Sequence, residues 1–342
     1  MYHTVFTRGT IQSSEEPHNE KYDKKHAEGE NRHHLKSTAT IDEALRRARE
    51  CPTFYPLPKG VNVDDDGKIC IHMPGCGGLF PYAYGICGAL QDTIDLQSVR
   101  FATTSGSTPA TATVLYNAPA HPTLELFERR RVELLRKHGP TIYTTNKFIH
   151  MAEVHNYEMA CEFGKDGWCD YALANHRVMV VRVPTKERMY IGTFDSLRDY
   201  VSTCGASCSF TGTPTKYCSP DWSLGVKCGP FRDGDLGGWP SAASFGERLS
   251  IPLEGGESSM STSSCFRWWY VVAGLLSVRL SSTMYDEGYK DAMKILVPPL
   301  VRRLPPPKAT QSRSEGTAAV RAWMKKQLTD FVQPRDMAEG ML

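Results

Sequence analysis

The chain has no CxxC pair, no P-loop GK[ST], no complete GxGxxG and no apolar stretch approaching the ~20 residues of a membrane span. Each absence excludes something. Without CxxC, the neighbouring Cys204, Cys208, Cys218 and Cys228 match no common zinc spacing, so a zinc-stabilised interaction module is only a remote alternative. The eleven cysteines are expected as reduced thiols, most of them acting as small apolar core residues. The longest apolar run, "WWYVVAGLLSV", is too short to span a bilayer. The N-terminal "MYHTVFTRGTIQSSEEPHNEKYDKKHAEGENRHH" lacks an apolar core for a secretory signal, and Tyr2 stands where myristoylation needs glycine. These absences predict a soluble, cytoplasmic protein. A net charge of +2 supplies no electrostatic drive toward nucleic acid. Local basic clusters such as "ERRRVELLRKH" read as the solvated face of a helix. No motif calls for a cofactor or a metal.

What is present is ordinary globular material: 40% hydrophobic and 23% charged over 342 residues, enough for one large domain or two average ones. Residues 1–40 are polar and are expected not to order on their own. Residues 41–300 carry the folded pattern, opening with the amphipathic "IDEALRRARECPTFY" and the turn "VDDDGK". "KICIHM", "SVRFAT", "RVMVVRV", "RMYIGTF" and "RLSIPL" are rich in Val, Ile and aromatics and predict strands. "TLELFERRRVELLRKHG", "NKFIHMAEVHNYEMACEFG" and "SLRDYVSTCG" predict helices, the first ended by Gly139–Pro140. "MYDEGYKDAMKIL" predicts another, closed by Pro298–Pro299. Alternation of strands and helices argues for an α/β domain with a largely parallel sheet. Residues 301–316 are Pro- and Ser-rich and predict a linker. In 317–342, Val320, Trp323, Met324, Leu328 and Phe331 fall at helical spacing, which favours a helix docked on the domain over a membrane-surface helix.

Three short segments carry candidate chemistry. In "ICIHMPGCGGLFPYAYG" an apolar run enters Gly75, Gly77 and Gly78, and a helix is expected from near Pro81. Glycine-rich backbone at a helix start offers N–H groups to a phosphate or an oxyanion, although a structural turn uses glycines too. Phe80 stands where a dinucleotide fingerprint has its third glycine. In "RFATTSGSTPATATVLYN" a strand passes through Thr103-Thr104-Ser105-Gly106-Ser107 into a helix expected near Pro109, which puts Ser105 at the position of a nucleophile elbow. The usual GxSxG is absent, because Thr103 and Ser107 replace its outer glycines, and β-branched Thr103 disfavours strained turn geometry. On these residues alone a Ser/Thr/Gly loop is the simpler reading, and Ser107 is a rival nucleophile. In "GPFRDGDLGGWP", Asp233-Gly234 is a common turn pair, and Asp233 or its neighbour Asp235 could act as general base.

The order of glycine turn, serine elbow and late Asp-Gly, over roughly 68–296, resembles the patatin-like phospholipase family. "GCGG" matches its oxyanion turn, "TTSGS" its elbow and "RDGD" its Asp-Gly motif. "MPGCGGLFPYAYG" and "MYDEGYKDAMKIL" resemble the animal lipid-droplet branch. The resemblance implies a three-layer α/β/α domain and a Ser–Asp dyad without histidine. Ser105 would attack an ester carbonyl, Asp233 would take its proton, and backbone N–H groups of the turn at Gly75, Gly77 and Gly78 would hold the oxyanion. It implies a lipid substrate at a membrane or lipid-droplet surface and no cofactor. His72 and His121, the latter read as a loop residue, would be packing or surface groups. The departures at Thr103, Ser107 and Phe80 leave a second expectation open: a catalytically inactive, lipid-binding or regulatory protein on the same fold.

Overall fold

The computed structural model describes residues 43, 45, 46, 48–50, 57, 61–63, 67–143, 147–182, 187–208, 231–233, 280–316, 318, 320–323, 325 and 326. The chain divides into two compact units, Met1–Glu50 and Cys51–Leu342. In the first, the described residues are helical, and Arg46 bonds Glu43 at 2.9 Å and Glu50 at 2.7 Å, one turn to either side. The expected polar tail, 1–40, lies outside the described residues.

The second unit is α/β. Its sheet has the order β1 (Val61–Val63), β2 (Ile69–Met73), β3 (Val99–Thr104), β4 (His176–Arg182), β5 (Glu187–Ile191), with β6 (Phe231–Asp233) also paired to β4. Parallel pairing occupies the centre, β2–β3–β4, while β1, β5 and β6 are antiparallel to their neighbours. β2 and β3 are buried nearly along their whole length, as continuous apolar runs require when helices cover them. Four of the five predicted strands are these elements; "RLSIPL" lies outside the described residues.

Helix α1 (Phe80–Thr93) connects β2 to β3, and every residue in it but Asp92 is buried. Its interior position follows from "FPYAYGICGAL", which is apolar all round rather than on one stripe. Between β3 and β4 lie α2 (Ser107–Leu115), α3 (Ala120–His138), α4 (Lys147–Phe163) and α5 (Trp168–Asn175). α6 (Leu197–Ser207) follows β5, its start capped by the Ser196 side chain accepting from Asp199 N–H. α7 (Ser281–Asp291) crosses α1 at Gly85 and Gly288, where backbone meets backbone. Among the described residues no helix is long and apolar enough to cross a membrane.

The structure corrects three expectations. Pro298–Pro299 do not close the last helix: α7 passes through a π turn, Ala292–Leu296, into α8 (Val297–Val301), which has proline in its first turn. The wider π turn just before them accommodates the proline rings and the missing N–H groups within a continuous helical path. The basic cluster of α3 is a solvated face only in part: Arg129, Arg136 and Lys137 are exposed, but two arginines are not. Arg130 and Arg131 are among the largest fully buried side chains, Arg131 paired with Glu128 and Arg130 with Glu158, each at 2.6 Å. Burial is tolerable because both charges are paired and hydrogen-bonded. His121 is in the first turn of α3, not a loop, edge-on to the Tyr285 ring.

The stretch expected as a linker is bonded along its length. Asp95 N–H donates to Pro305 O, Asn117 donates to Thr310 O, and buried Gln311 accepts from Leu96 N–H and donates to Gln91 O and Ile94 O. The described residues from 318 to 326 are helical, and Trp323 meets Phe163 of α4 edge to face.

Candidate active site

Strand β3 ends at Thr104 and α2 begins at Ser107, leaving two residues to reverse the chain. Ser105 does so with φ +54°, one of three non-glycine residues in the left-handed region among those described. Such a conformation costs on the order of 1–3 kcal/mol for a residue with a Cβ and persists only where its surroundings enforce it. Here they do. Ser105 N–H donates to Ser207 Oγ at 2.9 Å, Ser105 O accepts from Thr108 N–H at 2.9 Å and from the Cys208 thiol at 3.1 Å. This is strand–strained serine–helix, the geometry of a nucleophile elbow.

The glycine this turn cannot lose is Gly106. A Cβ there would lie 2.8 Å from Gly77 O, 2.9 Å from Cys76 Sγ and 3.0 Å from Gly77 N. The turn after β2 therefore presses its backbone against the elbow. Gly77 itself has φ +49° and opens a 3-10 turn, Gly77–Leu79, that leads into α1. Of the three predicted oxyanion glycines, Gly77 shares a cleft with Ser105; Gly75 and Gly78 are buried within the turn and do not line that cleft.

The two replaced glycines are absorbed without distortion. Thr103 is still in β3, where β-branching suits the backbone, and its hydroxyl bonds His176 Nε2 at 2.6 Å and Thr108 Oγ1 at 3.0 Å. His176 Nδ1 bonds Tyr200 OH at 2.6 Å. Fully buried, this imidazole is held neutral, its pKa lowered to about 3 by desolvation. Ser107 Oγ reaches Met73 O at 2.9 Å and Thr104 O at 2.8 Å, tying the elbow to β2. That role fixes Ser107 as a structural residue of the turn rather than a nucleophile.

The sheet register locates Asp233. β5 covers one edge of β4 from Val178 to Arg182, so β6, which pairs with Val180–Arg182, shares the other edge with β3. β3 runs parallel to β4 and β6 antiparallel, so their C-terminal ends meet. Thr104 is opposite Met179 and Asp233 opposite Val180, consecutive positions ~3.3 Å apart along the strand. The backbone of Asp233 thus ends where Ser105 begins its turn. Asp235 lies outside the described residues.

Ser105 lines a small, partly open cleft together with Gly77, Gly106, Pro109, Cys208 and three phenylalanines, Phe80, Phe127 and Phe148. Phe80, which stands at the missing third glycine, is a wall of this cleft. Sequence reasoning missed Phe127, Phe148 and Cys208, which come from α3, α4 and the end of α6; only "TLELF" and "NKFIH" as apolar helix faces hinted at the first two. Among the described residues no group of three or more His, Cys, Asp or Glu could hold a metal ion. Cys204 and Cys208 are buried thiols, and Cys218 and Cys228 lie outside the described residues. No family model, no curated protein and no solved structure matches this chain.

Proposed function

We propose that the protein is a lipid acyl hydrolase of patatin-like type, a three-layer α/β/α serine esterase working in the cytoplasm at a membrane or lipid-droplet surface. One observation carries the reading: Ser105 is held in the left-handed conformation between a strand and a helix, in the lining of an apolar cleft.

In the proposed reaction the Ser105 hydroxyl loses its proton to the Asp233 carboxylate as Oγ bonds the ester carbonyl carbon. The carbonyl oxygen becomes an oxyanion, held by the backbone N–H of Gly77 and by the N-terminus of α2. Collapse breaks the ester C–O bond, the proton passes from Asp233 to the leaving alkoxide, and an acyl-Ser105 remains. Water then attacks the acyl carbon, giving its proton to Asp233, and free acid and serine are regenerated. A carboxylate is a weak base toward an alkanol, so the oxyanion donors, worth ~3–4 kcal/mol each in well-studied hydrolases, supply much of the rate. His176, neutral and bonded at both nitrogens, has no part in proton transfer.

The test is hydrolysis of p-nitrophenyl butyrate together with labelling by a fluorophosphonate, in the native protein and in Ser105→Ala. Both signals are expected in the native protein and both should vanish in the variant, with circular dichroism unchanged. Labelling that survives in Ser105→Ala removes the serine assignment. Silence in both proteins, with the fold intact, moves the reading to an inactive lipid-binding protein.

A further inference from the structure

Ser105 is gripped at both ends of its backbone by consecutive residues from the end of one helix. Ser207, the last residue of α6, accepts from Ser105 N–H through Oγ at 2.9 Å, and the thiol of Cys208, next in the chain, donates to Ser105 O at 3.1 Å. The helix end is itself seated. A Cβ on Gly205 would lie 2.5 Å from Oε1 and 2.8 Å from Cγ of the buried Glu153 in α4, so the last turn of α6 is pressed onto that helix. Ser207 Oγ also donates to Met179 O at 2.7 Å. Met179 is opposite Thr104 in β3, and its neighbour Val180 is opposite Asp233 in β6. One hydroxyl thus joins the elbow to the stretch of β4 that registers Thr104 and Asp233.

The protons around this hydroxyl have a single consistent order. A carbonyl only accepts, so the Ser207 proton is committed to Met179 O, and Ser207 Oγ takes the proton of Thr108 Oγ1 at 3.5 Å. Thr108 then has only a lone pair to offer Thr103, which donates to it at 3.0 Å. Thr103 in turn accepts from His176 Nε2 at 2.6 Å, which leaves Nδ1 bare to accept from Tyr200 OH at 2.6 Å. Protons therefore point one way along Tyr200, His176, Thr103, Thr108 and Ser207, all of them buried. Bonds aligned head to tail polarise one another in the same sense, which favours one arrangement of the whole chain. Building on the hydrolase reading above, we infer that Ser207 is a positioning residue for the nucleophile: oriented from His176 through Thr103 and Thr108, it fixes the strained Ser105 backbone and with it the direction of Oγ.

The experiment follows p-nitrophenyl butyrate hydrolysis by the native protein, Ser207→Ala and Thr108→Val, at a temperature where circular dichroism shows each folded. Ser207→Ala should lower kcat at least about tenfold with KM within about twofold of native, because a misaimed nucleophile loses near-attack geometry rather than substrate binding. Thr108→Val keeps the shape and deletes the hydroxyl that orients Ser207. It should lower kcat in the same sense by less, and it carries the test should Ser207→Ala not fold. Unchanged kcat in these variants, or a change confined to KM, overturns the inference. Two NMR readouts need no turnover. Hydrogen exchange of the Ser105 amide should be at least about tenfold faster in Ser207→Ala than in the native protein, with Phe101 and Ala102 of β3 unchanged; equal exchange at Ser105 overturns the clamp. In native protein carrying 15N-labelled histidine, His176 should hold its proton on Nε2, and a proton on Nδ1 overturns the chain. Native protein inactive toward the ester, with both NMR results as expected, removes the hydrolase reading alone.

Discussion

At Thr103 and Ser107 a departure from a motif has become a set of bonds. Read as letters, the loss of two glycines at an elbow suggests crowding; in the structure the strain falls on Ser105 alone, while Thr103 joins His176 and Ser107 joins β2. Restoring both glycines should therefore not create activity. It should destabilise the protein, because His176 Nε2 and the carbonyls of Met73 and Thr104 lose hydrogen-bond partners in a buried setting. Thr103→Val, which keeps the shape and deletes the hydroxyl, should cost about 1–3 kcal/mol in urea unfolding. An unchanged unfolding midpoint would mean that the Thr103–His176 bond is energetically idle. His176 also sets a pH dependence. Its pKa is near 3 when folded against 6.5 as the reference value, so below 6.5 the unfolded chain takes up a proton that the folded chain refuses. Stability is then complete above pH 6.5 and declines as pH falls toward 3, by up to ~1.4 kcal/mol per pH unit from this one group. Buried His155, also lowered well below its ordinary value, adds a limb of the same sign. His176→Gln should flatten the acid limb between pH 6 and 4; parallel curves for variant and native protein would refute the buried neutral imidazole. The serine's position was legible from the order of small residues, whereas the compensation around it was not, since His176 is 73 residues away from Thr103.

At the scale of elements, α1 and α7 meet more closely than side chains permit. A Cβ on Gly85 would lie 2.1 Å from Tyr285 O, and one on Gly288 would lie 2.1 Å from Tyr82 O. Glycine to alanine inside a helix ordinarily stabilises by ~0.5–1 kcal/mol. Here the sign must reverse, because backbone oxygen cannot step aside as a flexible side chain can. Gly85→Ala and Gly288→Ala are each expected to cost at least ~3 kcal/mol by thermal or urea unfolding, through separation of the two helices. Stabilisation by either alanine would show that the helices do not touch at these glycines. Both helices were legible in the sequence, α1 from a start near Pro81 and α7 as "MYDEGYKDAMKIL". What the pattern could not show is which glycine faces a neighbour, or that Pro298 would be carried by a π turn into α8 rather than end the helix. The arginines of α3 failed for a related reason: charge content predicts a wet face, and only the placement of Glu128, Glu158 and Tyr143 around Arg130 and Arg131 makes a dry one possible.

Across the second unit as a whole, the chain returns from α8 to lie against its own early elements, and composition misled about that return. Proline and serine content in 301–316 suits a spacer, yet the side chains that matter are few and specific. Gln311 satisfies Leu96 N–H at the start of the 3-10 turn before β3 and caps carbonyls at the end of α1. Ser314 bonds the half-buried Asp92, whose carboxyl is pushed up by desolvation, and Asn117 exchanges bonds with Thr310 and Ser312. The strap thus closes the polar ends of α1, α2 and the entry to β3, the strand that delivers Ser105. Lys308 and Arg313 are exposed and offer trypsin two sites inside it. Cleavage needs a run of chain released from its bonds, so its rate reports local opening. Native protein should resist cutting after Lys308 and Arg313 under conditions that leave the fold intact. Gln311→Ala orphans a buried N–H and should speed cutting there roughly tenfold or more, the factor that ~1.4 kcal/mol of lost local stability produces. Rapid cutting of the native chain at both sites would restore the spacer reading. Cutting accelerated by Gln311→Ala, with esterase activity falling in parallel, would show that the strap holds the strand under the serine.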